Sequence, residues 1–277
     1  MSGYELVDAG EGRRLERFGS LTVDRPAPGC TSARQAPGAW VHADGRFDRA
    51  TGWQWPAGPP SDWWIRLEDL ELELRPTDAG QVGVFPEHAD HWPWLADRAA
   101  GRDVLHLFAY TGATTLRLVR AGGRVVHLDA SKPAVTWARR NAIRNRLDVA
   151  PIRWIVDDVP TFVARELRRG RRYGGIILDP PTYGHGRGGR SWRIEADLPE
   201  LLSACVGLLD DQAFVLLTGH TVDLDPGDLA ALLERAIDDR QLPDGAGRAR
   251  VEAGPMVVTA RSGVRLSLGA FARWPGS

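Results

Sequence analysis

The sequence predicts an α/β protein with a mostly parallel sheet covered by helices on both faces, preceded by a small β-rich module. Two observations carry this. From residue 95 to the end, apolar runs of strand length alternate with helical runs, the signature of a sheet built from crossover connections. Residues 1–94 instead hold short extended pieces, such as "WWIRL" and "LELELRP", broken by "RPAPG", "RQAPG" and "PAGPPSD".

In the second part the elements follow in order. "DVLHLFAY" reads as a buried strand and "ATTLRLVRAGG" as a helix closed by glycines. "RVVHLDA" is the next strand, and "SKPAVTWARRNAIRN" a helix with Ser131 as N-cap and Pro133 in its first turn. Strand "IRWIVDD", helix "PTFVARELRRG", strand "YGGIILD", helix "EADLPELLSACVGLL", strand "AFVLLTG" and helix "PGDLAALLERAI" continue the alternation. Two strands without an intervening helix, "ARVEAGPMVV" and "RLSLGAFARW", predict a closing hairpin that adds an antiparallel edge. Residues 184–190, "GHGRGGR", read as a loop.

Composition narrows the function classes. The chain has 277 residues and is 43 % hydrophobic, enough for a sizeable core. Its 35 Lys and Arg against 36 Asp and Glu leave a net charge of −1, so any polyanion-binding surface must be local. Two cysteines, Cys30 and Cys205, form no metal or disulfide pattern. The first residues lack a signal-peptide pattern and no apolar run reaches the ~20 residues needed to span a bilayer, so the expected location is the cytoplasm. Seven of the eleven tryptophans lie in residues 40–94; they either brace a thin core or offer stacking surfaces to unpaired bases.

In open α/β sheets ligands bind beyond the carboxyl ends of the strands. "LHLFAYTGATT", residues 105–115, has one glycine there, Gly112, where a dinucleotide fold would show GxGxxG and a P-loop would show Lys followed by Ser or Thr. Thr111, Thr114 and Thr115 beside that glycine suit a zwitterionic amino-acid tail at a helix N-terminus. Asp129 ends the second strand, followed by Ala130 and Ser131, and can accept from a ribose diol or simply cap a helix. Of the two aspartates in "IVDDV", Asp158 with the Val159 backbone N–H is favoured over Asp157 to receive an adenine amino group, with helix capping as its plainer role. "ILDPPTYG" is the most specific signal: Asp179, stiffened by Pro180 and Pro181, stands at the crevice, and Tyr183 offers a flat surface for a base.

Together "LHLFAYTGATT", "VVHLDASKPAVTWARRNAIRN", "WIVDDVPTFV" and "IILDPPTYGHG" resemble the class I (Rossmann-like) S-adenosylmethionine-dependent methyltransferases. Over roughly residues 80–277 the chain closely resembles the bacterial 23S rRNA methyltransferase family that includes the 5-methylcytosine enzymes. The resemblance implies a seven-stranded sheet and S-adenosyl-L-methionine as cofactor. Phe108, Tyr110, Thr111 and Gly112 would line its methionine end, Asp129 with Ala130 and Ser131 its ribose, Asp158 and Val159 its adenine. Asp179 would face the sulfonium and the acceptor. "GQVGVFPEHADHW" resembles a cofactor-facing segment of the family, which adds Phe85 and Glu87, the latter for the methionine ammonium.

The 5-methylcytosine members place a nucleophilic cysteine after the strand that follows the DPP loop. Here that stretch is "AFVLLTGHT", with Thr218, Gly219 and His220 and no cysteine, while Cys205 is spaced among leucines like a core residue. A ring or exocyclic nitrogen acceptor needs no covalent help; His220 is then either a proton acceptor or structural. No metal is expected. The expected function is methylation of a base in RNA, ribosomal RNA in particular. A small-molecule or protein methyltransferase, and a non-catalytic cofactor-binding protein, are the alternatives. Arg187, Arg190 and Arg193 beside the DPP loop would meet phosphates, whereas the arginines at 165–172 read as a solvated helix end.

Overall fold

The computed structural model describes residues 3–185, 191–221, 224–239 and 250–276. The chain divides into two compact units: one of residues 1–90, 140–146 and 257–268, the other of residues 91–139, 147–256 and 269–277.

The first unit begins with an antiparallel meander, β1 (Tyr4–Gly10), β2 (Arg13–Phe18) and β3 (Leu21–Pro26). A short helix α1 (Pro37–Trp40) precedes β4 (Gly45–Asp48), which pairs parallel to β3, and β5 (Gly52–Gln54), which pairs antiparallel to β4. The hairpin β6 (Trp64–Leu67) and β7 (Leu70–Glu73) forms its own two-stranded sheet. Asn141 and Asn145 accept from the backbone N–H groups of Glu73 and Glu71 in that hairpin, at 2.9 and 3.0 Å.

So small a sheet has little aliphatic interior, and aromatic rings make up the volume. Phe47, Trp53, Trp55, Trp63, Phe18 and Tyr4 form one continuous ladder with centroid spacings between 5.1 and 6.0 Å. The indole N–H groups of Trp53 and Trp63 donate to the carbonyls of Thr77 and Phe18. Of the two uses open to these tryptophans, this packing is the bracing one. The same unit buries Glu16 against Arg25, with Nη2 to Oε2 at 2.6 Å, and Asp24 against Arg13.

After it, α2 (Trp92–Ala99) leads into β8 (Asp103–Leu107), α3 (Ala113–Arg120), β9 (Arg124–Asp129), α4 (Lys132–Arg144), β10 (Ile152–Val156), α5 (Val159–Arg168) and β11 (Tyr173–Leu178), all in the second unit except residues 140–144 of α4. A small antiparallel pair, β12 (Tyr183–His185) and β13 (Ser191–Arg193), precedes α6 (Ile194–Val206), β14 (Leu209–Gly219), α7 (Pro226–Asp238), β15 (Glu252–Thr259) and β16 (Arg265–Trp274). The seven-stranded sheet has the order β10-β9-β8-β11-β14-β16-β15. Strands from β10 to β14 are parallel and β16 is antiparallel to β14. The predicted class, with its antiparallel edge, is what forms.

The reason lies in the apolar strands. All six residues of β11 are buried, as the central strand of a sheet covered on both sides must be. One core joins β8, β11 and β14 to α5, α6 and α7 through Leu105, Ile176, Leu217, Phe162, Leu202 and Leu233. Because the chain runs outward from β8 to β10 and then returns to β11, the carboxyl ends of β8 and β11 flank the switch point where such sheets bind ligands. Among the described residues no helix is long and apolar enough to cross a membrane.

Candidate active site

The carboxyl ends of β8, β9, β10 and β11 carry the residues that the sequence singled out apart from Phe85 and Glu87, all of them within the second unit. After β8 the chain makes a strained turn. Phe108 and Tyr110 have φ of 55° and 49°, in the left-handed region that non-glycine residues seldom adopt, and Gly112 has φ 85°. A Cβ on Gly112 would lie 3.0 Å from that of Ala138, so the residue at the start of α3 must be small as well as left-handed. Thr111 is buried in this turn.

Asp129 closes the turn from the neighbouring strand. Its two oxygens accept from the backbone N–H groups of Tyr110 and Ser131, each at 2.8 Å. Burial still raises its pKa above the ordinary aspartate value, the two donors acting against it. Ala130 and Ser131 are exposed, and Ser131 Oγ accepts from Ala134 N at 3.3 Å, the expected cap of α4.

Asp158 caps α5: Oδ2 accepts from Thr161 N at 3.1 Å and from its hydroxyl at 2.7 Å, while Oδ1 has no hydrogen bond among the described residues. Asp157 is taken up by Arg165 at 2.8 Å, which explains why only Asp158 of the pair is available to a ligand. Val159 is buried at the first position of the helix. Beside Asp158 a cavity of about 240 Å³ opens between α5 and α6, lined also by Thr161, Trp192 and Asp197.

At the end of β11, Asp179 Oδ1 accepts from Thr218 Oγ1 at 2.7 Å and lies 3.2 Å from His220 Nε2. Both partners come from the end of β14, the next strand in the sheet. Pro180 and Pro181 follow, and Trp192 Nε1 donates to the Pro181 carbonyl at 2.7 Å, bracing the turn from β13. The Trp192 ring stands 5.6 Å from that of Phe108, so one indole touches both the first and the last segment of the site. Tyr183 is 64 % exposed and pairs in register with Arg193. Arg187 and Arg190 lie outside the described residues. In the second arginine cluster, Arg165 and Arg169 pair with Asp157 and Glu166, as a structural helix end would.

Phe85 and Glu87 belong to the first unit. Phe85 stacks on His88 at 5.6 Å, and the Glu87 side chain is buried in the charge network of Tyr4 and Arg14. Thr218 and Trp192 are the residues whose roles the sequence did not disclose. Their partners lie 39 and 11 positions away, and only the strand order β11-β14 brings the first pair together. Cys205 is buried in α6, and burial pushes its thiol far above the ordinary range.

A switch-point crevice that offers a glycine turn, a strand-end carboxylate with two backbone donors and a helix-capping aspartate defines a protein that binds a nucleoside linked to an amino acid. The chain belongs to the S-adenosylmethionine-dependent methyltransferase family, whose model matches residues 20–215. A SAM-dependent methyltransferase structure from Agrobacterium tumefaciens is 33 % identical with a TM-score of 0.91, covering 100 % of this chain and 91 % of that one. Among curated relatives, ribosomal RNA large subunit methyltransferase K/L of Shewanella frigidimarina is 28 % identical over 61 % of this chain and 24 % of its own length. Ribosomal RNA large subunit methyltransferase I of Tolumonas auensis is 26 % identical over 75 % of this chain and 56 % of its own. The chain thus spans 24 % and 56 % of the lengths of these two relatives.

The residues fit the family's cofactor. Gly112 leaves a cradle that a side chain would fill, and Asp129 and Asp158 present acceptors suited to a diol and an amine.

Proposed function

We propose that the protein methylates a nitrogen atom of a base in RNA, ribosomal RNA being the substrate class suggested by the names of its relatives, in the cytoplasm. The observation that carries the choice of acceptor is the Asp179 carboxylate held by Thr218 and His220, at a strand end where the described residues include no cysteine. Carbon methylation through a covalent adduct needs such a thiol; a nitrogen lone pair does not.

S-adenosylmethionine supplies a methyl group already activated on a sulfonium. What remains for the chain is to bind, align and exclude water. The 108–112 turn receives the methionine end, Asp129 the ribose hydroxyls and Asp158 Oδ1 the adenine amino group. Asp179 accepts an N–H of the incoming base and so directs its lone pair at the methyl carbon. A nitrogen that gained the methyl group would give up a proton, and Asp179, which accepts its N–H and is itself held by Thr218 and His220, is the group that would receive it. The exposed ring of Tyr183 supports a stacked base, and Arg193 opposite it supports a phosphate.

The test is transfer of label from S-adenosylmethionine to ribosomal RNA, to intact subunits and to a metabolite fraction. Label should enter RNA, and nucleoside analysis should place it on nitrogen. Asp179→Ala should lower the rate by about 10²- to 10⁴-fold. Label confined to the metabolite fraction would overturn the RNA reading, and label on a base carbon would overturn the choice of acceptor.

A further inference from the structure

Behind the glycine turn, the second unit buries two histidines side by side. His106 of β8 and His127 of β9 are paired in register and are 5 % and 0 % exposed. Thr115 of α3, also fully buried, lies between them, its Oγ1 being 2.7 Å from His106 Nδ1 and 2.9 Å from His127 Nδ1. Apolar residues would fill these positions at less cost, since a buried polar group needs every partner in place.

The hydroxyl sets the direction of the chain. Thr115 has one proton and faces two ring nitrogens; with that proton on either contact, one imidazole presents N–H and the other a lone pair. The edge of His127 toward the turn is fixed independently, because a Cβ on Gly112 would stand 3.5 Å from His127 Cε1. Burial first, then His106, hold the pKa of His127 well below the usual histidine value; the Tyr110 backbone acts in the opposite sense, and Arg139 adds to the lowering. With Nδ1 engaged by Thr115, the ring is held with its Cε1 edge behind the turn at Gly112, while Nε2 is buried and makes no hydrogen bond among the described residues.

We propose that Thr115 and His127 are positioning residues for the cofactor. In this relay His106 Nδ1–H donates to Thr115, Thr115 donates to His127 Nδ1, and the His127 ring so fixed backs the turn at Gly112. The turn is held from two sides: Asp129 takes the Tyr110 N–H at 2.8 Å, and the relay sets the His127 ring behind Gly112. A residue at φ 49° needs such restraint, because a side chain disfavours the left-handed conformation and the backbone relaxes when unsupported. The proposal rests on reading the 108–112 turn as the seat of the methionine end.

The experiment combines calorimetric titration of S-adenosylhomocysteine with ¹⁵N spectra of the histidine-labelled protein, for wild type, Thr115→Val, Thr115→Ser and Asp129→Ala. Thr115→Val should weaken binding about tenfold, and Thr115→Ser, which keeps the hydroxyl, should bring it back to within about threefold. The wild-type spectra should show His106 and His127 as opposite tautomers, a signature that mere packing would not produce. Wild-type affinity in Thr115→Val, or the same tautomer on both rings, would overturn the relay. If Thr115→Val fails to fold, Thr115→Ser and the spectra decide. Asp129→Ala separates the two readings: unchanged affinity there sinks the cofactor assignment of the turn, whereas a loss there with none in Thr115→Val sinks the relay alone.

Discussion

Each unit withdraws an aspartate from water, and the two fare differently. Asp8, in the first unit, is fully buried and collects four donors: Trp40 Nε1 at 2.9 Å, Ala36 N at 2.9 Å, Ser262 Oγ at 2.8 Å and Gln35 N at 3.3 Å. Burial pushes its pKa up, but these donors more than offset it and the net shift is downward. Asp129, in the second unit, has two donors and its pKa is raised by burial. A carboxylate whose charge is fully met by its own fold is a structural hub. One that the fold leaves short of donors is suited to a ligand that brings them, and a ribose diol brings two.

The largest effect should come from the hub. Asp8→Ala strands an indole N–H, a hydroxyl and two backbone N–H groups, and should cost about 3 kcal/mol in denaturant unfolding. Cofactor affinity of the folded fraction should be unchanged. A different pattern is expected of Asp129→Ala: S-adenosylhomocysteine binding weaker by about 10- to 100-fold, with unfolding free energy lowered by no more than about 1 kcal/mol, since loss of a costly buried charge offsets the two backbone N–H groups left without their acceptor. Equal losses of stability in the two variants would erase the distinction.

Acid separates the two again, with opposite signs. Asp8 has a folded pKa below its unfolded one, so its contribution is complete above the unfolded aspartate value, about 3.9, and is lost as pH falls through the folded value. Asp129 has a folded pKa above its unfolded one, so its contribution is complete below the unfolded value and is lost as pH rises through the folded one. Ligand donors favour the Asp129 anion, so cofactor affinity should fall as pH drops through that raised value. Calorimetry across this range should show the slope in wild type and a flat profile in Asp129→Asn.

These aspartates also mark what a sequence discloses. Asp129, Asp158 and Asp179 could be read because each ends an apolar strand, and strand ends in such a sheet are where ligands bind. Asp8 could not, since its donors sit 27 to 254 positions away and only tertiary pairing assembles them. The same holds for Thr218 beside Asp179, and for His106 and His127, which read as ordinary strand residues until β8 and β9 pair. The tryptophans were legible as a cluster but not as a ladder. The tryptophans pack in chain order, from Trp53 to Trp55 to Trp63, but the ladder then passes to Phe18, 45 positions back along the chain, a step that only tertiary packing makes.

Cys205 gives the smallest expected effect and tests which side of the comparison a buried titratable group falls on. Like Asp8 it is enclosed, but it has only apolar neighbours in the core of α5, α6 and α7, and burial alone raises its thiol pKa far beyond the ordinary range. A thiol so protonated is a poor nucleophile at neutral pH. Cys205→Ser replaces a weak donor by a hydroxyl in the same apolar setting, so it should lower the unfolding free energy by about 1 to 2 kcal/mol more than the conservative Cys205→Ala. The methyl-transfer rate should stay at the wild-type level in both, and the native thiol should resist alkylation until the protein unfolds. A loss of transfer in both variants with binding intact would instead make Cys205 the nucleophile, and the nitrogen-acceptor reading built on Asp179, Thr218 and His220 would have to be given up.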